Sequence, residues 1–215
     1  MKLRAEIKKL KDKVEGQDVF IIGGGPSLID FDFNKLRGKT VFALNSSFKL
    51  LNNIATAVFW TDNDWASANY NYLMDFNGLR FNARINAEKS IIGDIKGFAD
   101  SCVLNKLNDF GFTMDVNSVC GNNSGAQALN FIANLKAYRI FLLGYDMNPS
   151  SRGKTHWHEG YNQPAALYAT AYRDLFIPSI NSMAPFIQQL GIDVINCNPD
   201  SYLKCFRKDK IEKYL

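Results

Sequence analysis

Short apolar runs alternate with longer polar or amphipathic stretches along this chain. Several runs have the length and the β-branched and aromatic content of strands that are buried on both faces, as in a parallel sheet. Strands are predicted at residues 18–22, 40–44, 55–60, 139–143 and 193–196, with further extended segments at 79–85 and 101–107.

The stretches between these strands have the apolar spacing of helices. Helices are predicted at residues 3–14, 65–74, 126–135 and 164–190, and residues 109–120 are expected to form a loop. Strands that alternate with helices indicate an α/β protein. We therefore expect residues 1–215 to form a single Rossmann-like three-layer α/β/α sandwich with a mainly parallel sheet, with a helix within residues 1–17.

Three glycines, Gly23, Gly24 and Gly25, follow the first predicted strand. Without side chains, several backbone N–H groups can turn toward one anion, and a helix that begins at Pro26 or Ser27 would add the positive end of its dipole. The loop therefore predicts a nucleotide or phosphate site, although it matches neither the dinucleotide fingerprint nor the Walker A pattern. A tight turn without a ligand is the alternative.

Polar residues also follow the other predicted strands, and ligands bind at the carboxyl edge of open parallel sheets. The third strand ends in Thr61, Asp62, Asn63 and Asp64. Thr61 and Asp62 are predicted to contact the nucleotide. The Asp-x-Asp pattern of Asp62 and Asp64 could hold Mg²⁺ or Mn²⁺ across a diphosphate through carboxylate oxygens. The alternative is that Asp64 caps a helix that starts at Trp65.

Residues 147–163 form a long polar segment that is predicted to be a lid over the site. Lys154, His156 and His158 lie in it and could contact a phosphate, and a histidine could also act as acid or base because it titrates near neutrality. These roles are favoured over a metal site, since no third ligand lies nearby in the sequence. Trp157, Tyr161 and Tyr168 could stack on a base or sugar, or could pack an ordinary surface loop onto the core.

Composition narrows the classes of protein. A hydrophobic content of 47% and a charged content of 21% are ordinary for a globular protein, and no apolar run approaches the roughly 20 residues of a membrane span. The chain begins with a lysine-rich segment rather than a secretory signal, so a cytoplasmic location is expected. Its four cysteines do not have the spacing of a metal site or of a disulfide framework, and we expect them to be reduced thiols. The net charge of +4 comes from interspersed residues near both ends, which does not favour nucleic-acid binding.

Four motifs together carry a family resemblance: IIGGGPSL, ALNSS, AVFWTD and NNSGAQALNFIANLKAYRIFLLGYDM. In order and spacing, over about residues 18–202, they resemble the bacterial sialyltransferases of glycosyltransferase family 42. The chain is also similar to a wider set with the same domain, which includes archaeal pterin pyrophosphokinases, a flagellin-glycosylation group and small phage proteins. The resemblance implies the α/β fold already predicted.

The resemblance also implies a site for the cytidine monophosphate part of a sugar donor. The family's lid tyrosines have no equivalents that align here, so Lys154, His156 or His158 would replace them. The family's catalytic histidine falls near Asp174, so the general base would be Asp174 or a lid histidine. The nucleotide contacts implied are Gly23, Gly24, Gly25, Ser27, Asn45, Asn123, Ser124, Gly144 and Asp146.

These observations predict a sialyltransferase-like glycosyltransferase that transfers a sugar from a nucleotide-activated donor to the hydroxyl of a glycan or small molecule. A donor with one phosphate would need no cofactor, whereas a diphosphate donor would call for Mg²⁺ or Mn²⁺. Two alternatives stay open. The first is pyrophosphoryl transfer from ATP to an alcohol, with Asp62 and Asp146 on magnesium. The second is a non-catalytic, phage-type protein that only binds a nucleotide. The sequence does not indicate the oligomeric state.

Overall fold

The computed structural model describes residues 4–85, 101–148, 154–158 and 165–215. These residues form one sheet of nine parallel strands in the order β6-β5-β4-β3-β2-β1-β7-β8-β9. The strands are β1 Asp18–Ile22, β2 Thr40–Leu44, β3 Ala57–Trp60, β4 Leu79–Arg84, β5 Cys102–Lys106, β6 Ser118–Val119, β7 Arg139–Leu143, β8 Asp193–Asn196 and β9 Arg207–Lys208.

Helices cover both faces of this sheet. The described helices are α1 Ala5–Val14, α2 Asn63–Ala68, α3 Tyr70–Met74, α4 Ser124–Asn134, α5 Ala165–Ala171 and α6 Ile177–Gln189. A π-helical turn at Tyr172–Phe176 joins α5 to α6, and shorter 3₁₀ turns lie at Pro26–Leu28, Phe33–Leu36, Asn45–Lys49 and Ile211–Lys213.

The core consists of two apolar layers, one on each face of the sheet. Because side chains alternate along a strand, Val19 and Ile21 of β1 face one layer and Phe20 and Ile22 face the other. Helices α1, α4 and α6 build the first layer. The second is covered by α2, α3, short 3₁₀ turns and the C-terminal segment. A sheet packed on both sides explains why its central strands are continuous apolar runs.

The strand order reverses direction beside β1. From β1 the chain adds β2 to β6 outward on one side, and α4 then carries it back to place β7 on the other side of β1. Right-handed crossovers that run in opposite directions lie on opposite faces of the sheet. The loops after β1 and β7 therefore lie next to a crevice at the carboxyl edge, where ligands bind in folds of this type.

The predicted fold class is confirmed, and the sheet is parallel throughout the described residues. The predicted helix at 65–74 is instead two short helices, separated at Asn69. The segment at 109–120 is not all loop, because it contains β6. The helix expected from Pro26 is only a three-residue 3₁₀ turn, so no helix dipole reinforces the glycine loop.

All four cysteines are free thiols. Burial is the main cause that raises the pKa of Cys197 and Cys205 to about 12, which keeps both in the protonated and poorly nucleophilic form.

Candidate functional site

A cleft with a volume of about 320 Å³ opens at the carboxyl edge of β1, β2, β3 and β7. This volume lies at the lower end of the range of about 300–1,000 Å³ that is usual for small-molecule sites. The structure brings together in this cleft most of the predicted nucleotide-binding residues, namely Gly23, Gly24, Gly25, Asn45, Thr61, Asp62, Asn123, Ser124, Gly144 and Asp146, together with His156 and His158.

Two of the three glycines serve the contact between the loops after β1 and β7. A Cβ added to Gly23 would lie 2.8 Å from the Gly144 carbonyl oxygen, and one added to Gly25 would lie 2.6 Å from the same atom. Gly24 differs, because its Cβ position faces the cleft and would meet the His156 ring at 2.6 Å. Thus Gly23 and Gly25 allow close backbone packing, and Gly24 is the glycine at which a side chain would enter the cleft.

The hydrogen bonds of the loop follow the same division. The Gly23 amide donates to Leu143 O at 2.8 Å, and the Gly25 amide donates to Gly144 O at 2.9 Å. The prediction that several amides of this loop would turn toward one anion is therefore wrong. Of the three glycine amides, that of Gly24 alone has no hydrogen-bond partner among the described residues.

Asp146 fixes this loop from the end of β7. Its carboxylate accepts hydrogen bonds from the Ser27 amide at 2.7 Å and the Ser27 hydroxyl at 2.6 Å. Burial is the largest cause acting on this group and raises the pKa of Asp146, which opposes the effect of the Ser27 hydrogen bonds. The two residues were predicted to contact a nucleotide, but the structure places their polar groups on each other.

The opposite wall of the cleft is the start of α4. The Asn123 side chain caps this helix by accepting from the Ala126 amide at 3.0 Å, and Ser124 and Gly125 of the first turn line the cleft. The amides of a first helical turn have no partner within the helix, and the positive dipole end adds to their attraction for anions. This wall supplies the electropositive end that the glycine loop lacks.

Beside this wall, a small network of polar side chains joins the ends of β2 and β3 to the start of α4. The Ser124 hydroxyl lies 2.9 Å from the Thr61 hydroxyl after β3 and donates to the Asn45 side-chain oxygen after β2 at 3.2 Å. Asn45 adopts a left-handed φ of 46°, a conformation that asparagine tolerates better than most residues. The network orients neutral hydroxyl and amide groups toward the cleft.

The two histidines form the roof of the cleft above Gly24. Their ring centroids are 5.5 Å apart, and both Nε2 atoms lie within 3.5 Å of the position that a Gly24 Cβ would occupy. Burial, with a smaller contribution from His158, lowers the pKa of His156 to about 4. At neutral pH the His156 imidazole is therefore uncharged, and it can accept a proton only as a weaker base than an ordinary histidine.

An aromatic row completes the remaining wall. Tyr168 contacts the His156 ring with centroids 5.0 Å apart, and Tyr172 and Phe176 continue the row toward α6. Burial raises the pKa of both Tyr168 and Tyr172, so each keeps its phenolic proton. Tyr172 and Phe176 were not predicted to line the site. Each aromatic residue of the row follows the previous one by four positions, and this helical spacing is the sequence signal that could have identified them. The other lining residues that sequence reasoning missed are Leu44, Asn122, Gly125, Tyr145 and Met147.

The acidic pair after β3 does not come together as a ligand set. Asp62 caps α2 by accepting from the Trp65 amide at 2.7 Å, so the capping residue is Asp62 and not Asp64. Asp64 is exposed and does not line the cleft. Within the described part of the chain, no group of three or more His, Cys, Asp or Glu side chains is arranged to hold a metal ion.

Two predicted catalytic residues lie away from the cleft. Asp174 is exposed and accepts two hydrogen bonds from Arg173, which lower the pKa of its carboxyl. Lys154 is exposed and is not among the cleft residues. Of the predicted lid, Met147, Asn148 and residues 154–158 are described; the rest of 147–163, including Tyr161, lies outside the described residues.

The chain is thus a Rossmann-like α/β/α protein with a cleft at the point where its strand order reverses. Comparisons with protein-family models, curated proteins and solved structures find no match to it. Among the helices that the structure describes, none has both the length and the apolar character needed to cross a bilayer.

Proposed function

We propose that this protein is a glycosyltransferase of the sialyltransferase-like type, which binds a nucleotide-activated sugar in the cleft and transfers the sugar to an acceptor hydroxyl. The observation that carries the proposal is the arrangement around Gly24. Among the described residues the Gly24 amide has no hydrogen-bond partner, and the first turn of α4 lines the same cleft, so both could donate to a phosphate. The uncharged His156 ring lies against Gly24. Anion donors and a proton acceptor in one small cleft suit the departure of a phosphate and the attack of a hydroxyl.

The charge of the cleft favours a donor with one phosphate. Among the residues that the structure describes, no lysine or arginine lines it, and the groups there that can donate to an anion are backbone amides, hydroxyls and the histidine imidazoles. A triphosphate carries several negative charges and is usually held with lysine and magnesium. A cytidine monophosphate sugar, the donor that the resemblance to family 42 implies, needs far less compensation. The two lines of argument therefore support the same class of donor.

The reaction would use residues of this chain in simple roles. The acceptor oxygen forms a bond to the anomeric carbon of the sugar while the bond from that carbon to the phosphate oxygen breaks. The proton of the acceptor hydroxyl passes to a cleft imidazole, and the nucleotide leaves as its monophosphate. The Gly24 amide, the first turn of α4 and the Tyr168 and Tyr172 hydroxyls would stabilise the charge that develops on the phosphate.

Pyrophosphoryl transfer from ATP has less support. The two carboxylates that would hold Mg²⁺ or Mn²⁺ are already engaged, since Ser27 occupies both Asp146 oxygens and the Trp65 amide occupies one oxygen of Asp62. Simple nucleotide binding without catalysis would leave the half-buried histidine over Gly24 without a role. We therefore place glycosyl transfer first.

A binding panel tests the proposal. Calorimetric titration with CMP, UDP, GDP, ADP and ATP, each with EDTA and with Mg²⁺ or Mn²⁺, should show that CMP binds in EDTA. The matched variant is Ser124→Ala, which removes one hydroxyl of the polar network but keeps a good helix former at the start of α4. It should weaken CMP binding by about tenfold, as expected when a hydrogen bond of about 1.4 kcal/mol is lost. Failure of every nucleotide to bind the folded protein would reject the proposal.

A further inference from the structure

Trp157 is attached to the glycine loop by two hydrogen bonds. Its backbone amide donates to Gly24 O at 2.9 Å, and its indole Nε1–H donates to Gly23 O at 2.9 Å. These two acceptors are consecutive carbonyls of the same turn. One residue therefore joins the 154–158 segment to the loop whose free amide borders the cleft.

The indole ring also rests on the connection between β1 and β2. Its centroid lies 4.6 Å from that of Phe33, which in turn contacts Phe31 edge to face at 5.1 Å. Trp157 packs against the apolar layer on that face of the sheet. The indole thus combines directional hydrogen bonds with an aromatic contact, which stabilises a ring pair beyond simple burial.

His156 and His158 lie immediately on either side of this attached residue. Trp157 packs on the second apolar layer, whereas both histidines line the cleft. Among the described residues, the titratable groups whose rings contact the His156 ring are His158 and Tyr168, and its Nδ1 lies 2.9 Å from the Thr155 hydroxyl. With the indole held in place, the two neighbouring side chains have little freedom to leave the space above Gly24.

We propose that Trp157 is a positioning residue, whose contacts with Gly23, Gly24 and Phe33 hold His156 and His158 over the cleft. The functional value of this position rests on the proposed function, in which a cleft imidazole accepts the proton of the acceptor hydroxyl. The positioning itself is a property of the protein without any nucleotide. It can therefore be tested separately.

The burial of the His156 ring is the readout. The chain has only two histidines, so their Cε1 resonances can be followed by NMR from pH 4.5 to 8 and assigned with a His158→Gln variant. In the parent, where the pKa of His156 is about 4, its resonance should stay mostly at the position of the neutral imidazole down to pH 4.5. Release of the ring into water in Trp157→Ala should raise this pKa toward 6.5. Trp157→Phe keeps a ring against Phe33 but loses the Nε1–H bond, and should give a smaller rise.

Trp65→Phe is the matched control. The Trp65 indole donates a comparable hydrogen bond, to the Ser46 hydroxyl at 2.8 Å, but does not hold the 154–158 segment. It should leave the pKa of His156 unchanged. If Trp157→Ala does not fold, Trp157→Phe and Phe33→Leu decide the question.

A depressed pKa of His156 that persists in folded Trp157 variants would overturn the positioning role, even where the variants melt at a lower temperature. A rise that occurs in these variants and not in Trp65→Phe would support it. Nucleotide titrations of the parent stay a separate measurement. Failure of those titrations would reject the proposed function and leave the NMR result standing.

Discussion

The Ser27 amide and hydroxyl both donate to the carboxylate of Asp146, a residue that lies 119 positions further along the chain. The contact fixes the turn after β1 against the turn after β7, the two strands at which the order of the sheet reverses. It therefore sets the shape of the cleft floor without itself pointing at a ligand.

Replacement of Asp146 should test this contact. Asp146→Ala removes the buried carboxylate that accepts from the Ser27 amide and hydroxyl. Ser27 itself is exposed, so water can reach part of these donors, and a hydrogen bond to a charged group is worth about 1.5–3 kcal/mol. We expect the free energy of unfolding, measured by urea denaturation, to fall by at least about 2 kcal/mol. Asp174→Ala, at an exposed position, is the control and should change it by less than about 0.5 kcal/mol. Equal losses in the two variants would contradict a special role for Asp146.

The glycines after β1 should differ in their tolerance of a methyl group. In Gly25→Ala the new Cβ would lie 2.6 Å from the Gly144 carbonyl oxygen and from the Asp146 carboxyl carbon, so the loop must move. In Gly24→Ala the nearest atom is Cδ2 of His156, a side chain that can rotate. We expect Gly25→Ala to lower the melting temperature strongly. Gly24→Ala should melt close to the parent but bind CMP more weakly. A stable Gly25→Ala protein would refute the packing argument.

Asp62→Asn should separate helix capping from metal binding. Asparagine is as good an N-cap as aspartate, so the hydrogen bond to the Trp65 amide is kept while the negative charge is lost. If the donor carries one phosphate held by neutral groups, CMP affinity should be unchanged in Asp62→Asn and insensitive to EDTA. Calorimetry on the parent and the variant, with and without Mn²⁺, makes the comparison. Loss of binding in the variant, or in EDTA, would restore the diphosphate–metal hypothesis.

Stability should fall in mild acid because the half-buried His156 ring is held in its neutral form. Its pKa is about 4 when folded and about 6.5 when unfolded, so between these values the unfolded chain binds more protons than the folded protein. The free energy of unfolding should therefore decrease as the pH falls below about 6.5, by about 2 kcal/mol at pH 5. Below about pH 4 this contribution stops changing.

The control for this effect is His156→Gln, which cannot titrate. Asp146, whose pKa is raised, changes stability in the opposite direction as the pH falls, but it is present in both proteins and cancels in the difference. Urea denaturation of the two proteins from pH 4.5 to 7.5 gives the result. Parallel curves would show that His156 is not buried in solution as the structure has it.

Much of the fold could be predicted from local pattern. The central strands β1, β2 and β7 lie at the predicted residues because a strand packed on both faces leaves little room for polar side chains. Predictions were weaker at the sheet edge and in short connections. The two-residue strand β6 and the break at Asn69 depend on neighbouring segments more than on their own sequence.

By itself, the sequence determined that strand ends with glycines and small polar groups would meet at one edge of a parallel sheet, since parallel strands share their carboxyl edge. Only the tertiary structure decided which donors stay available there. The amides of Gly23, Gly25 and Ser27 are used by the end of β7 and the loop after it, and Trp157 holds two histidines over Gly24. These outcomes depend on contacts between residues more than a hundred positions apart, and no local pattern records whether a hydrogen-bonding group already has a partner.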